Sequence, residues 1–358
     1  MKIFLDIGHP AHVHYFKHLI REMEEKGHFF VITARDKEVT HFLLEKEGFS
    51  YTSRGSGKDG LFGKLLYTIK ADRQLYRIAK REKPDLFLSF ASPYCAHAAW
   101  LMRKPHIVLD DTETAHIGQA LYRPFSDVIL TPESFKRNLG KKQLRYPSFI
   151  ETGYLHPKWF NPDPAIYKEL GMEPGQPYTI MRFVAWTANH DVWQKGISIQ
   201  NRIKAAEEFS KYGRVFISSE KKLPAELNPY CISISPERIH HAIAFSSLMF
   251  GESGTMTSEA AMLGTPAVFI NNLHSKLGTI KTQAEIYKLV FPFSESEDDQ
   301  LRAIEKGVEI LNTSSEVWEK RKTRLFNETI DITDFLEWFL IHYPDSIESV
   351  RNGFRFRS

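Results

Sequence analysis

The chain has 358 residues, of which 42% are hydrophobic and 25% are charged, and its formal net charge is +3. This balance is typical of a globular protein with enough residues for two ordinary domains, and it lacks the charge excess that identifies a nucleic-acid binder. The two cysteines, Cys95 and Cys231, lie far apart without the spacing of a metal site, which favours a reducing compartment. No apolar run approaches the roughly 18 residues of a membrane span, so we expect a cytoplasmic protein.

The first half of the chain alternates short apolar runs with helical patterns. The run KIFLDIG precedes a helical pattern over residues 13–26, and FFVITAR precedes a helix that continues through Lys46. A long amphipathic helix is predicted over residues 61–82. Three further runs of buried type follow, namely LFLSF, HIVLDD and DVILTP. Strands that alternate with helices predict a parallel sheet covered on both faces.

A segment with five prolines, YLHPKWFNPDPAIYKELGMEPGQP, then interrupts the alternation and is typical of a linker. The alternation resumes with PYTIMRFVAW, RVFISSE, SLMFGES and AVFIN. We therefore predict two doubly wound α/β domains, over residues 1–155 and 176–314, joined by a linker at 156–175. The helical, aromatic-rich segment 315–358 is expected to pack back on these domains. Because ligands of open α/β sheets bind beyond the carboxyl ends of the strands, the predicted site lies in the cleft between the two domains.

The sequence GESGTMTSEAAMLGTP, residues 251–266, places a small turn where a strand passes into a helix. The unpaired N–H groups and the dipole of a helix N-terminus favour an anion, and Gly254 allows a phosphate to approach the main chain. Ser253 and Thr255 add hydroxyl donors, and Glu259 shares a helix face with Thr255. These residues have the chemistry of a nucleotide-diphosphate site in which Glu259 accepts the ribose hydroxyls. The alternative is that Ser253 or Thr255 simply caps the helix and Glu259 favours its positive end.

The segment SGTMTSEAAMLGTPAVF resembles the donor-nucleotide motif of GT-B glycosyltransferases and of UDP-N-acetylglucosamine 2-epimerases. The match covers Ser253, Gly254, Glu259 and the sequence Leu-Gly-Thr-Pro at 263–266. The whole chain also resembles a group in that superfamily, domain of unknown function 354, through DIGHPAHVHYF, DDTET and SPERIHHAIAFSSLMFGESGTMTSEAAMLGTP. The resemblance implies a GT-B fold, α/β with two Rossmann-like domains, and leaves the substrate open.

The first loop, DIGHPAHVHYFKH, carries several histidines directly after the first strand. Imidazole titrates near neutral pH, so a histidine here is a candidate general base toward a sugar hydroxyl. The sequence Pro-Ala-His-Val at 10–13 resembles a Gly-Gly-His-Val segment of the peptidoglycan N-acetylglucosaminyltransferase, which selects His12. His12 and His14 also form a His-x-His pair, but no partner follows at ligand spacing, so no metal is predicted. We expect His14 and His18 to be ordinary helix residues.

Two further segments carry candidate catalytic groups. In IVLDDTETAHIG three carboxylates follow a strand, so one of them can retain a proton near neutral pH, and the resemblance to the epimerases selects Glu113. The alternative is that Asp110 or Asp111 caps the next helix. In TIMRFVAWTANHD, Arg182 and His190 are candidate cations for the leaving diphosphate.

These observations predict an enzyme that binds a nucleotide-diphosphate sugar, with a UDP-sugar favoured, and transfers the sugar with inversion, without a metal or other cofactor. A UDP-sugar 2-epimerase and a non-catalytic nucleotide-sugar-binding protein remain as alternatives. The epimerase pattern has an acid after the strand LFLSF, where this chain has SFASPYC. The acceptor stays open. A lipid-linked or polysaccharide acceptor, with peripheral contact to the inner face of a membrane, suits the pI of 8.6 and the 13% aromatic residues without being required by them.

Overall fold

The computed structural model describes residues 1–57, 61–184, 196–220, 222–353 and 356, with no side-chain description at 61, 62, 64 and 65. The chain forms two compact units. Unit 1 comprises Met1–Tyr154 together with Ile330–Ser358, and unit 2 comprises Leu155–Thr329.

The described part of unit 1 begins with seven strands, of which the first six alternate with helices. These elements are β1 (Lys2–Ile7), α1 (Pro10–Glu25), β2 (Phe29–Asp36), α2 (Thr40–Lys46), β3 (Tyr51–Ser56), α3 (Leu61–Glu82), β4 (Leu86–Phe90), α4 (Pro93–Met102), β5 (His106–Leu109), α5 (His116–Tyr122), β6 (Val128–Pro132) and β7 (Gln143–Tyr146). A short helix α6 (Thr152–Leu155) ends this series. The sheet order is β3-β2-β1-β4-β5-β6-β7, and every pair of neighbours is parallel. The strand order reverses between β1 and β4, so a crevice is expected beyond the carboxyl ends of these two strands.

Continuous apolar runs form the central strands of unit 1 because both faces of the sheet are covered. Residues 3–5 of β1 and 86–88 of β4 are buried, and the rings of Phe4 and Phe87 stack with centroids 5.0 Å apart. α3 and α4 pack on one face, where Leu75, Ala79 and Cys95 join the same core. The doubly wound parallel sheet predicted for the first half is confirmed.

Unit 2 contains a second, five-stranded parallel sheet. Its elements are α7 (Ile166–Glu169), β8 (Tyr178–Phe183), α8 (Ile199–Ser210), β9 (Arg214–Ser219), α9 (Ile239–Phe245), β10 (Leu248–Gly251), α10 (Gly254–Leu263), β11 (Ala267–Ile270), α11 (Gly278–Glu285), β12 (Val290–Phe293), α12 (Glu297–Leu311) and α13 (Ser315–Glu328). The sheet order is β12-β11-β10-β8-β9. Counted within the unit this is 2-1-3-4-5 read from β9, the second common doubly wound order, whose reversal point lies between β8 and β10.

The C-terminal segment divides between the two units. α13 belongs to unit 2, whereas α14 (Ile332–Ile341) and α15 (Asp345–Arg351) belong to unit 1. Asp331 caps α14 by accepting hydrogen bonds from the N–H groups of Thr333 and Asp334. Thr333 donates its hydroxyl proton to the carbonyl of Gly153, at 2.8 Å. In the part of the chain that the structure describes, no helix is long and apolar enough to cross a membrane.

Candidate functional site

The turn between β10 and α10 lies at the reversal point of the unit 2 sheet. The four residues 253–256 are half-buried, whereas residues 257–263 of the same helix are buried. α10 therefore exposes its N-terminal turn and buries the rest. This is the end of a helix at which N–H groups lack helical partners and an anion is favoured.

Ser253 is the N-cap residue of α10. Its side chain accepts a hydrogen bond from the N–H of Met256 at 3.3 Å, and its carbonyl accepts one from Thr257 at 3.0 Å. The capping interpretation of Ser253 thus describes the structure. It does not exclude an anion site, because the N–H groups of Gly254 and Thr255, the first two residues of the helix, are not satisfied by this cap.

Gly254 occupies a position at which the fold does not need a glycine. A Cβ atom added there would meet only the Cζ atom of Phe269 at 3.8 Å, an ordinary contact. Gly251, three residues earlier, is different: its Cβ would lie 2.2 Å from the carbonyl oxygen of Arg182 in β8. Close packing of two strands therefore explains the glycine at 251. At Gly254 no such close contact occurs, and the residue is half-buried.

Glu252 ties together the loops at this reversal point. The side chain is buried and accepts hydrogen bonds from the N–H groups of Val184 at 3.0 Å and Ile197 at 2.7 Å. Arg202 of α8 donates a further bond from Nη2 at 3.0 Å. Burial raises the pKa of Glu252, and the charge of Arg202 acts in the opposite direction. Sequence analysis missed this role, although an acid between a buried strand and a helix cap is a visible signal.

Glu259 lies on the second turn of α10, in contact with α9. Its Oε1 atom is 3.0 Å from Nε2 of His240, and both side chains are only 5% exposed. The ring of Phe160 lies edge-on to His240, with centroids 6.2 Å apart. The sequence placed Glu259 near the turn without indicating a partner, and the structure joins it with His240 in one buried pair. A ribose that binds Glu259 must share this carboxylate with His240.

Of the two cations predicted to bind the leaving diphosphate, the structure describes Arg182 but not His190. Arg182 ends β8, and its Nη1 and Nη2 atoms donate to Ser218 Oγ at 2.8 Å and Glu220 Oε1 at 2.6 Å. Its charge is therefore already engaged by β9 and the loop that follows. His190 lies outside the described residues. Its role stays a prediction. Val184 and Ile197, which are described, both donate backbone N–H groups to Glu252.

His12 lies in the first turn of α1, beyond the carboxyl end of β1 in unit 1. Its Nδ1 atom accepts a hydrogen bond from the N–H of Gly8 at 3.2 Å. A nitrogen that accepts an N–H carries no proton, so the neutral ring holds its proton on Nε2. Burial, followed by the charges of His9, Lys37 and Arg54, lowers the pKa of His12 well below its usual value. His12 is thus a neutral hydrogen-bond donor here, and the lone pair required of a general base faces the backbone.

The three carboxylates after β5 have distinct environments. Asp110 is fully buried and accepts hydrogen bonds from the Thr112 N–H at 2.9 Å, the Gln119 side chain at 2.9 Å and the Tyr122 hydroxyl. Glu113 is buried and accepts the N–H of Lys136 at 3.1 Å. These bonds fix the loop. Asp110 does not cap the next helix, because the N-cap residue of α5 is Ala115, which has no side-chain cap, and Asp110 instead accepts from side chains within α5.

Asp111 is the carboxyl group that titrates near neutral pH. Its side chain is half-buried and accepts the Thr112 hydroxyl proton at 2.9 Å. Burial, followed by the negative charges of Asp110 and Glu113, raises its pKa to about 7. Asp111 is therefore a candidate for the acid that retains a proton, and the role predicted for Glu113 stays a prediction. An acid with this pKa is suited to proton transfer.

No group of three or more histidine, cysteine, aspartate or glutamate side chains able to hold a metal ion occurs within the described ranges.

Comparison with known proteins agrees with this architecture. A family model described as "Protein of unknown function (DUF354)" matches residues 1–282. The chain is 26% identical over 286 residues to the uncharacterized protein MJ0665 of Methanocaldococcus jannaschii. The aligned region spans 75% of this chain and 81% of that protein.

Among solved structures, the UDP-GlcNAc 2-epimerase of Neisseria meningitidis bound to UDP-GlcNAc is similar with a TM-score of 0.70 and 14% identity, over 95% of this chain and 100% of that one. MurG of Acinetobacter baumannii is similar with a TM-score of 0.58 and 15% identity, over 95% of this chain and 99% of that one. At these identities the likeness shows the fold, which is GT-B, as predicted.

Proposed function

Because the chain belongs to the DUF354 family and has the GT-B fold, we propose that it is an enzyme that binds a UDP-sugar and transfers the sugar with inversion. The observation that carries the proposal is the half-buried turn at 253–256, where α10 presents N–H groups beside a glycine that the fold does not require. A diphosphate bound there is stabilised by the helix N-terminus. The similar epimerase, whose structure contains UDP-GlcNAc, supports the choice of nucleotide.

In the proposed reaction, an acceptor hydroxyl attacks the anomeric carbon on the face opposite the diphosphate. The hydroxyl proton passes to a carboxylate base while the bond between the anomeric carbon and the phosphate oxygen breaks. UDP leaves with that electron pair, and the N–H groups of Gly254 and Thr255 stabilise the charge on the diphosphate. Glu259, held by His240, accepts the ribose hydroxyls.

We assign the base to Asp111. Its pKa of about 7 gives a substantial carboxylate fraction at neutral pH, whereas the unprotonated nitrogen of His12 is occupied by Gly8. His12 then contributes its Nε2–H as a donor to the acceptor or to the transferred sugar. The base role predicted for His12 requires that the bond to Gly8 break when substrate binds. Binding of the leaving diphosphate by Arg182 and His190 also remains a proposal.

A UDP-sugar 2-epimerase is the second candidate, favoured by the acids after β5. Epimerisation at C2 needs one group to remove a proton and another to return one, and Asp111 and Glu113 lie two residues apart on one loop. A carboxyl with a pKa near 7 is suited to both directions of transfer.

A nucleotide panel followed by a product assay tests these proposals. UDP and UDP-sugars should raise the melting temperature, since a ligand at 100 times its Kd stabilises the folded state by about 2.7 kcal/mol. Glu259→Gln keeps an acceptor for His240 and should lose most of this response. A panel with no response from any nucleotide contradicts the proposal.

Incubation with UDP-GlcNAc in D2O then separates the two reactions. An epimerase incorporates deuterium at C2 without an acceptor. A transferase leaves C2 protonated and releases UDP rapidly only after an acceptor is added. Binding with neither outcome, across a broad set of acceptors, identifies a nucleotide-sugar-binding protein.

A further inference from the structure

A buried arginine in unit 1 lies beyond the carboxyl end of β1, at the reversal point of that sheet. The side chain of Arg54 on β3 is 2% exposed, and its Nε atom donates to Oδ1 of Asp6 at 2.9 Å. Nη1 donates to the hydroxyl of Tyr67. The guanidinium also lies 5.0 Å from the ring centroid of Tyr94. Its orientation is therefore fixed by two hydrogen bonds and by the rings of Tyr94 and Tyr67.

Asp6 does not need Arg54 in order to be satisfied. The carboxylate is fully buried and also accepts the hydroxyl protons of Thr33 at 2.8 Å and of Ser92. Buried ion pairs contribute little net stability because both charges lose their hydration. The pair is thus poorly explained as a stability device and well explained as a means of holding the guanidinium in one orientation.

The remaining terminal nitrogen of Arg54 lies close to Gly8. Nη2 lies 3.5 Å from the position that a Cβ atom on Gly8 would occupy, and Cε1 of His12 lies 3.5 Å from the same position. Within the described part of the chain, Nη2 makes no hydrogen bond. A space of about one methyl group is therefore bordered by a guanidinium, an imidazole and a bare glycine.

The surroundings of this space favour an anion. The Nδ1 atoms of His9 and His12 accept backbone N–H groups, so each neutral ring carries a proton on Nε2 and can donate it. Both residues stand at the N-terminal end of α1, a helix of 16 residues whose dipole is positive there. The charge of Lys37 also acts on His12. Arg35 shares the ring of Tyr67 with Arg54, at 5.8 and 5.9 Å.

We propose that Gly8, Arg54 and His12 bind a phosphate group of the acceptor substrate, one oxygen of which occupies the position that a Cβ atom on Gly8 would fill. The inference rests on the proposed function, because it states the chemistry of the acceptor that the transferase uses. A fixed guanidinium, N–H donors and a glycine that permits close approach match the three oxygens of a phosphate. The phosphate belongs either to a soluble sugar phosphate or to a lipid-linked phosphate.

Substitution Gly8→Ala tests the site with little disturbance of the fold. The new methyl group would be in ordinary contact with Arg54 and His12, at 3.5 Å from each, and it would fill the proposed phosphate position. Gly118→Ala in α5 is the matched control, since a Cβ there meets no atom within 4 Å. Equal melting temperatures for both variants and the wild type establish that any change in binding is local.

Calorimetric titration with inorganic phosphate, on protein saturated with UDP, gives the readout. We expect binding to the wild type and to Gly118→Ala with equal Kd, and at least tenfold weaker binding to Gly8→Ala. Absence of phosphate binding to the wild type, or equal binding to Gly8→Ala, overturns the inference. Equal or tighter binding of acetate with the same dependence on Gly8 also overturns it, in favour of a carboxylate.

Two further arms identify the source of the phosphate and separate this inference from the proposed function. A sugar 1-phosphate and a polyprenyl phosphate in detergent are titrated in parallel, and tighter binding of either, lost in Gly8→Ala, upholds the site and names its source. UDP binding is measured first. If UDP does not bind, the proposed function fails, while the phosphate titration of UDP-free protein and of Gly8→Ala still decides whether this site exists.

Discussion

Two glycines three residues apart, Gly251 and Gly254, give the sharpest test of the nucleotide site. Substitution Gly254→Ala adds a methyl group whose nearest neighbour in the described structure is Phe269 Cζ at 3.8 Å. Alanine is also the better helix former, by up to about 1 kcal/mol. We therefore expect the free energy of unfolding to stay the same or rise slightly, as measured by urea denaturation.

The same methyl group lies where a diphosphate would approach the main chain of α10. Hydrogen bonds to a charged group are worth about 1.5–3 kcal/mol each, and 1.4 kcal/mol corresponds to a factor of ten. Loss of one such bond predicts a UDP affinity that is roughly 10- to 100-fold weaker, measured by isothermal titration calorimetry. Thr255→Ser, which leaves the main chain open, should bind UDP as the wild type does.

Gly251→Ala, in contrast, should lower the free energy of unfolding. Its Cβ would lie 2.2 Å from the carbonyl oxygen of Arg182, so strands β8 and β10 must separate locally. We expect a loss of stability of about 3 kcal/mol, at the upper end of the cost of overpacking. If Gly254→Ala binds UDP with the Kd of the wild type, the diphosphate does not contact this turn and the reasoning is wrong.

Three other predictions follow from buried groups. Glu252→Gln removes the charge that faces Arg202 and places an amide NH2 donor where a carboxylate oxygen accepts hydrogen bonds, so urea denaturation should show a loss of about 3 kcal/mol. Glu226→Gln, at an exposed position in a short helix of unit 2, should show almost none. Asp111 has its pKa raised to about 7 in the folded state, so kcat/KM should rise with pH through about 7, and Asp111→Asn should abolish this dependence. Because the folded state holds this proton more tightly than the unfolded state, the free energy of unfolding of the wild type should fall relative to that of Asp111→Asn as the pH rises from about 4 to about 7. A difference in unfolding free energy that does not change with pH would contradict the raised pKa. Of the two cysteines, exposed Cys231 should react at once with a thiol reagent, whereas buried Cys95, whose pKa is raised by burial, should react only on unfolding.

Local patterns predicted the framework of both units. Strands β1, β4 and β10 are apolar runs because both of their faces are covered, and such runs are visible in the sequence. β3, with the sequence YTSRGS, was missed because it is an edge strand with no apolar run. The Ser253 cap and the end of α10 at Gly264, with a φ of +84°, follow from residue types at fixed positions.

The parts of the sites that sequence could not predict depend on contacts between distant residues. Asp6 and Arg54 are 48 positions apart, and nothing near either residue indicates its partner. The pair of His240 and Glu259 likewise arises because α9 and α10 lie on the same face of the sheet. Conversely, the base role of His12 was a reasonable expectation from its position, but the tautomer depends on one hydrogen bond from Gly8 that only the structure shows.

The two units share one local arrangement at the reversal point of the sheet. In each, the strand order reverses beside a strand that is followed by a glycine and then a helix: Gly8 precedes α1, and Gly254 begins α10. Neither glycine has a positive φ, and a Cβ at either position would make only ordinary contacts. Folding alone therefore allows alanine at both positions, and at Gly254, within α10, alanine is also the better helix former. The bare main chain is best explained by a group that must approach it closely. The chemistry of the neighbours, N–H donors at Gly254 and a fixed guanidinium at Gly8, suits the anions that we propose for the two units.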